Sequence, residues 1–131
     1  MNRFLTDDPK LAAEYGLSGG AIAGGLVFAA AMALDGETMQ RDARAVTIAD
    51  ETRMCLEELD ATLKRAGSVG LGGIVKINCY LANDEDRAEF WQTYDKIFED
   101  YTQPHVRITQ VVGIACGCRV ELDAIAVPAD A

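Results

Sequence analysis

Two side chains near the C-terminal end carry the strongest chemical signal, Arg107 and Glu121. Each lies in a run that alternates along the chain, PHVRITQVVG at 104–113 and RVELDAIA at 119–126. Period-two alternation marks strands with one buried face. In the first run Val106, Ile108, Gln110, Val112 and Ile114 share one face, and Arg107, Thr109, Val111 and Gly113 the other. In the second, Val120, Leu122 and Ala124 oppose Arg119, Glu121 and Asp123. A guanidinium presents two parallel donors that fix both the charge and the orientation of a carboxylate. A plain core would hold neither group, so the pair is read as the chemistry of the chain. The competing structural reading makes Arg107 an ordinary ion-pair partner and Glu121 its counter-ion or a solvent-facing strand residue. His105, next to Pro104 and close to Arg107, is an outside candidate for a base. Tyr94 reads as core, and Trp91 as core or interface.

These residues need a scaffold. Residues 115–118, Ala-Cys-Gly-Cys, read as the turn of a hairpin that joins the two strands. With the turn centred on Cys116 and Gly117, Glu121 pairs with about Val112, on the order of 17 Å from Arg107. One small molecule cannot reach both within one chain, so the pair is expected to meet across a boundary between copies. Upstream, residues 1–17 show no clear period and read as an irregular lead-in. Gly24-Gly25 reads as a tight turn between two strands, because adjacent glycines tolerate positive φ. The second of these strands passes through Ala29-Ala30-Ala31, poor strand formers, so either tertiary context overrides propensity there or small side chains are needed for close packing against that backbone. Ile48, Thr52, Cys55, Leu59, Leu63 and Ala66 recur at helical spacing, predicting a helix over 46–66 with Gly67 at its C-terminus. Residues 74–81 alternate again, with Val75, Ile77, Cys79 and Leu81 on one face. Asn83 and Asp86 resemble a helix N-terminus, and Phe90, Tyr94, Ile97 and Phe98 define a second amphipathic helix. Two helices on one face of a mixed sheet would bury both stripes. The other face would then need other copies of the chain to cover it.

Composition narrows the function. The chain has 131 residues, half of them hydrophobic, and a formal net charge of −9, the profile of one globular domain over 1–131. Nucleic-acid binding is disfavoured, because it runs on clustered Lys and Arg. The apolar run at 21–34 is too short to span a bilayer, and no export signal is apparent, so a cytoplasmic location is expected. Four cysteines at 55, 79, 116 and 118 with a single histidine suit neither a disulfide framework nor a zinc site. No cofactor or metal is expected.

The order of elements, VELDAIA at 120–126, P-x-x-R at 104–107, KINCYLAND at 76–84 and LVF…ALDG within 26–36 together resemble the reactive-intermediate deaminase (RidA/YjgF) family, also called endoribonuclease L-PSP. The resemblance runs from about residue 15 to 127. It implies a chorismate-mutase-like α+β fold, a homotrimer with clefts between subunits, and hydrolysis of carboxylate-bearing enamines and imines to ketoacids and ammonia. Arg107 falls where the family arginine clamps the substrate carboxylate, and Glu121 where the family glutamate activates water. Thr109 falls two residues after the arginine. The chain departs from the family pattern at three places around the pocket, and its turn before VELDAIA is one residue short. Ala29, Ala30 and Ala31 replace a Ser-Gly-Gln run, Leu17 replaces a tyrosine (with Tyr15 nearby as a substitute), and Trp91 replaces an asparagine. These changes imply a substrate that is larger or less polar than a simple amino-acid enamine. They also leave open a pathway-specific lyase or tautomerase, or a trimer that binds small acids without catalysis.

Overall fold

The computed structural model of the chain describes residues 2–101 and 103–130. Gly24 and Gly25 adopt φ of 59° and 76°, the geometry that a two-residue hairpin turn demands. They join β2 (Gly20–Ala23) to β3 (Leu26–Met32) in antiparallel register, as the sequence predicts. β3 tolerates its alanines because β2 and β6 (Val120–Ala126) hydrogen-bond it on both sides. Ala29 and Ala31 are buried, and their small side chains let α2 (Ile48–Arg65) pack onto the strand.

α2 starts at a capping box. Thr47 accepts from the Asp50 backbone N–H and the Asp50 carboxylate accepts from that of Thr47, so two otherwise orphaned donors are satisfied. Its buried side, including Ile48, Thr52, Cys55, Leu59 and Leu63, follows the predicted period. Ala66 caps the helix, and Gly67 follows at φ 99°. A short 3-10 turn, Leu71–Gly73, leads into β4 (Ile74–Leu81). Gly70, at φ 100°, is needed there, since an added Cβ would collide with Asp60 Oδ1, the acceptor for the Leu71 N–H. Gly70→Ala is therefore expected to cost about 1–3 kcal/mol, read as a lower urea midpoint. The same change at Gly16, open on all sides, should cost less.

α3 (Arg87–Phe98) crosses back to β5 (Val106–Val111), which runs parallel to β4. β1 (Arg3–Phe4) completes a mixed sheet of order β1-β2-β3-β6-β4-β5. α2 and α3 bury one sheet face, with Leu56, Leu59, Leu63 and Phe90 packed on Ile77, Leu81, Val120 and Leu122. This is the α+β architecture expected from the sequence.

Four expectations need correction. First, β5 and β6 do not form a hairpin: β4 lies between them, parallel to β5 and antiparallel to β6. The 115–118 turn exists, with Cys116 and Gly117 at positive φ, but it carries the chain past β4. Second, the lead-in is structured, with β1 followed by α1 (Pro9–Tyr15). Asp8 caps α1 and Pro9 opens it, both ordinary N-terminal signals. Third, a bulge between Ile74 and Lys76 turns Val75 outward, so Ile74 is the buried residue there. Fourth, Arg119 does not share the free polar face of β6. It turns to α2, where the fully buried Glu51 accepts from Arg119 Nε at 2.8 Å and from the backbone N–H groups of Arg119 and Val120 at 2.7 and 2.9 Å.

Candidate active site

Register assigns the faces. Arg107 and Thr109 pair with Ile77 and Cys79 of β4, which are buried under the helices. Arg107 and Thr109 therefore point toward α3, while Val106 and Ile108 lie on the uncovered face, 57% and 41% exposed. α3 presents Trp91, Tyr94 and Asp95 to this edge strand at three- and four-residue spacing. The Trp91 Nε1–H donates to Thr109 Oγ1 at 3.0 Å. The Arg107 guanidinium carbon sits 5.3 Å from the Trp91 ring centroid and 4.8 Å from that of Tyr94, within cation–π range. Two aromatic rings thus fix the guanidinium without consuming its donors. One donor is in use, with Nη1 3.1 Å from Asp95 Oδ1. A groove of ≈ 610 Å³ opens beside it, lined by Asp95, Phe98, Tyr101, Pro104 and His105 among others.

His105 is hydrogen-bonded through Nε2 to the Tyr94 hydroxyl. Burial lowers its pKa and raises that of Tyr94, so at neutral pH this pair is uncharged and supports the Arg107 wall. Burial also pushes the Cys79 thiol behind Thr109 up to about 12, far from nucleophilic use.

Glu121 is elsewhere. It pairs with Met32 of β3 and Tyr80 of β4, which puts it with Asn78 and Asp123 on the uncovered face. Ile77 and Tyr80, the β4 partners of Arg107 and Glu121, stand about 10 Å apart along the strand, and two strand spacings add about 10 Å across the sheet. The two residues are thus on the order of 14 Å apart and on opposite faces. The pairing of Glu121 with Val112 read from a hairpin is overturned, since the Val112 N–H bonds the Leu81 carbonyl. The conclusion that one protomer cannot bring the two groups together stands, for a stronger geometric reason.

Burial, and behind it the Asp123 carboxylate, raises the Glu121 pKa above the ordinary glutamate range. Asp123 is held by the Asn78 Nδ2–H at 2.8 Å, and it raises the pKa of the neighbouring Tyr80 hydroxyl. Asp123→Asn removes the like charge, so Glu121 should ionise at lower pH. A carboxyl-carbon NMR titration should show that downward shift, whereas an unmoved midpoint would mean that Asp123 exerts no field there.

The remaining candidates separate. Leu17 and Ala30 line one groove of ≈ 550 Å³ with Phe4, Phe28 and Asp123; Tyr15, exposed at the end of α1, does not line it. Ala31 faces the helix side and is buried, so it shares no face with Ala30. One protomer therefore holds two candidate half-sites, Arg107, Thr109 and Trp91 under α3, and on the open face Glu121 with the adjoining groove of Leu17, Ala30 and Asp123. Asp95 is the site neighbour that pattern reading omits. An acidic residue on the outer side of an amphipathic helix looks like solvated charge until tertiary register places it against an arginine.

The chain matches the model of the endoribonuclease L-PSP family over residues 6–128. It is 34% identical over 82 residues to the mitochondrial protein mmf1 of Schizosaccharomyces pombe, a match covering 61% of this chain and 50% of that protein, so the chain spans about half the length of this relative. Among solved structures it is similar to yeast Mmf1 (TM-score 0.74, 23% identity, 86% of each chain covered). It is also similar to TdcF from E. coli with bound serine (TM-score 0.74, 23% identity, 86% and 88% covered) and to the E. coli YjgF gene product (TM-score 0.73, 23% identity, 85% and 87% covered). At these identities the structural likeness speaks to fold.

Proposed function

Because the chain belongs to the endoribonuclease L-PSP (RidA/YjgF) family, we propose that it is a hydrolytic deaminase of carboxylate-bearing enamines and imines, releasing a ketoacid and ammonia. The observation that carries this reading is the Arg107 guanidinium, clamped between Trp91 and Tyr94 yet holding, among the described residues, one weak charged partner, the 68%-exposed Asp95 carboxylate. A substrate carboxylate can take the remaining donors as a fork.

In this reading the chain assembles as a homotrimer. The β5 edge of one copy faces the open β3–β6 surface of the next, so that Arg107, Thr109 and Trp91 meet Glu121, Ala30 and Leu17 across the boundary. The exposed Phe28, Val106 and Ile108 of that uncovered face support a covering by other copies. Glu121 accepts a proton from water as the oxygen adds to the C=N carbon, then returns it to the nitrogen. The resulting carbinolamine then gives its hydroxyl proton to the nitrogen by way of the Glu121 carboxylate as the C–N bond breaks, so ammonia leaves and the carbonyl remains; an enamine first gains a proton on carbon to become the imine. The steps need no metal or cofactor. That TdcF is described with bound serine, a small carboxylate, supports the substrate class.

The test is ammonia release from 2-iminobutyrate made in place by an amino-acid oxidase. Added protein should speed ammonia and 2-oxobutyrate formation above the spontaneous rate, and no acceleration would refute the deaminase. The apolar Leu17–Ala30 groove favours a second reading, a pathway-specific lyase or tautomerase, or a non-catalytic small-acid-binding trimer. That reading expects tight binding of a ring-bearing carboxylate without ammonia. The ribonuclease activity in the family's name gains little support from a net charge of −9, since phosphate backbones are held by clustered cations.

No helix among the described residues is long and apolar enough to cross a membrane. The cytoplasmic placement is part of this proposal. Since one relative is named as mitochondrial, cell fractionation decides it.

A further inference from the structure

We infer that Asp95 is a specificity-determining residue of the Arg107 site, selecting ligands that carry a cationic nitrogen next to their carboxylate over acids that carry the carboxylate alone. The inference rests on the proposed role of Arg107 as a carboxylate clamp and names what else a ligand must present there.

Arg107 Nη1 and Asp95 Oδ1 stand 3.1 Å apart, with the Arg107 side chain 28% exposed and that of Asp95 68% exposed. Both open onto the same groove. A simple anion that displaces Asp95 from Arg107 leaves two carboxylates side by side with one guanidinium between them, and like charges at that range repel. A zwitterion replaces the internal pair by two external ones. Its carboxylate takes the Arg107 fork while its ammonium or protonated imine takes the freed Asp95 carboxylate. Neither protein charge is then left without a partner, and a charge-assisted hydrogen bond is gained on each side.

The surroundings support this division of labour. Arg107 is anchored by stacking on Trp91 and Tyr94 and stays in place when Asp95 lets go. The other charged groups facing this corner are Arg87, which is paired with Asp84 and stacked on Trp91, and Glu99, which also lines the groove. His105 is tied to Tyr94 and kept from protonation by burial, so it adds no competing positive charge. The Asp95 and Glu99 carboxylates and the Arg107 guanidinium thus line the groove, a balance that suits a ligand with a positive end.

Trp91 is the single tryptophan of the chain and touches Arg107, so its emission reports occupancy of this site directly. L-2-aminobutyrate and 2-oxobutyrate share a carbon skeleton and a carboxylate and differ only in the nitrogen. Titrated into the native protein, the amino acid should bind at least about 10-fold more tightly than the oxo acid. Asp95→Asn should erase that preference by weakening the amino acid about 10-fold while leaving the oxo acid unchanged or tighter. Equal weakening of both ligands, or no change in either, would overturn the role of Asp95 and leave Arg107 standing as the clamp. If neither ligand perturbs Trp91, or if Arg107→Ala leaves both titrations unchanged, the clamp itself fails and the inference falls with it.

Discussion

Arg107→Ala is expected to lower kcat/KM for ammonia release from a carboxylate-bearing imine by about 10²-fold or more, with little change in stability. The size follows from removing a partly desolvated, charge-assisted fork from the substrate, which costs about 3 kcal/mol. The limited stability effect follows from what the fold loses among the described residues, one ion pair with an exposed carboxylate, about 0–1 kcal/mol, and the stacking on Trp91 and Tyr94, about 1 kcal/mol. The separation matters, because a structural arginine would show the reverse pattern. Arg107→Lys keeps the charge but loses the planar fork and much of the stacking on Trp91 and Tyr94, so it should recover only part of the activity. Steady-state kinetics beside thermal melts of the three proteins distinguishes these outcomes.

Glu51→Gln is expected to be the most damaging single change outside the half-sites. The fully buried Glu51 carboxylate gathers the Arg119 guanidinium and two backbone N–H groups, and it ties the start of α2 to the entrance of β6. Arg119 in turn donates to the carbonyls of Ala45 and Val46. An amide at this position turns an acceptor-only group into one that also presents donors to donors, and leaves a guanidinium without its counter-charge. Breaking a buried pair in this way costs about 3–5 kcal/mol, a fall in Tm on the order of 10–20 °C for a domain of this size. The amide oxygen can keep the N–H groups of Arg119 and Val120, which both donate to one oxygen of the carboxylate, so removing the Arg119 side chain as well should restore part of the stability. A melting temperature within a degree or two of the parent would show that this corner bears little of the fold's stability.

What the sequence discloses and what it conceals divide along a physical line. The alternation at 74–81 and 120–126 and the helical stripe of α2 are legible because each element buries one face, and burial writes its period into the chain. The face of Glu121 is legible for the same reason, but that of Arg107 is not, because β5 turns its apolar Val106 and Ile108 outward and its Arg107 and Thr109 toward α3. The neighbour of β5 is not, because the pattern of a strand says which side is apolar but nothing about which strand lies beside it. The strand–helix–strand order of β4, α3 and β5 permits a parallel crossover, and that is the path taken, whereas a short glycine-bearing turn at 115–118 suggests a hairpin. α1 buries none of its residues, so it leaves no apolar period, and only Asp8 and Pro9 announce it. Asp95 and Glu51 escape pattern reading for a related reason. A charged residue on a helix is usually solvated, and only tertiary contact shows that one meets an arginine at the groove and the other lies wholly buried.

The central claim is that one copy supplies Arg107 and another supplies Glu121 to a single site, and complementation tests it most directly. Arg107→Ala and Glu121→Gln proteins, each folded and each inactive alone, are mixed one to one, unfolded and refolded together. If the site spans two copies, random reassembly makes about a quarter of the sites complete, with the intact arginine from one variant and the intact glutamate from the other, so about a quarter of the native ammonia-releasing activity returns. If each site draws both residues from one chain, no mixture can complete it. Activity that stays at the level of the separate variants, in assemblies shown to contain both chains, would contradict the account.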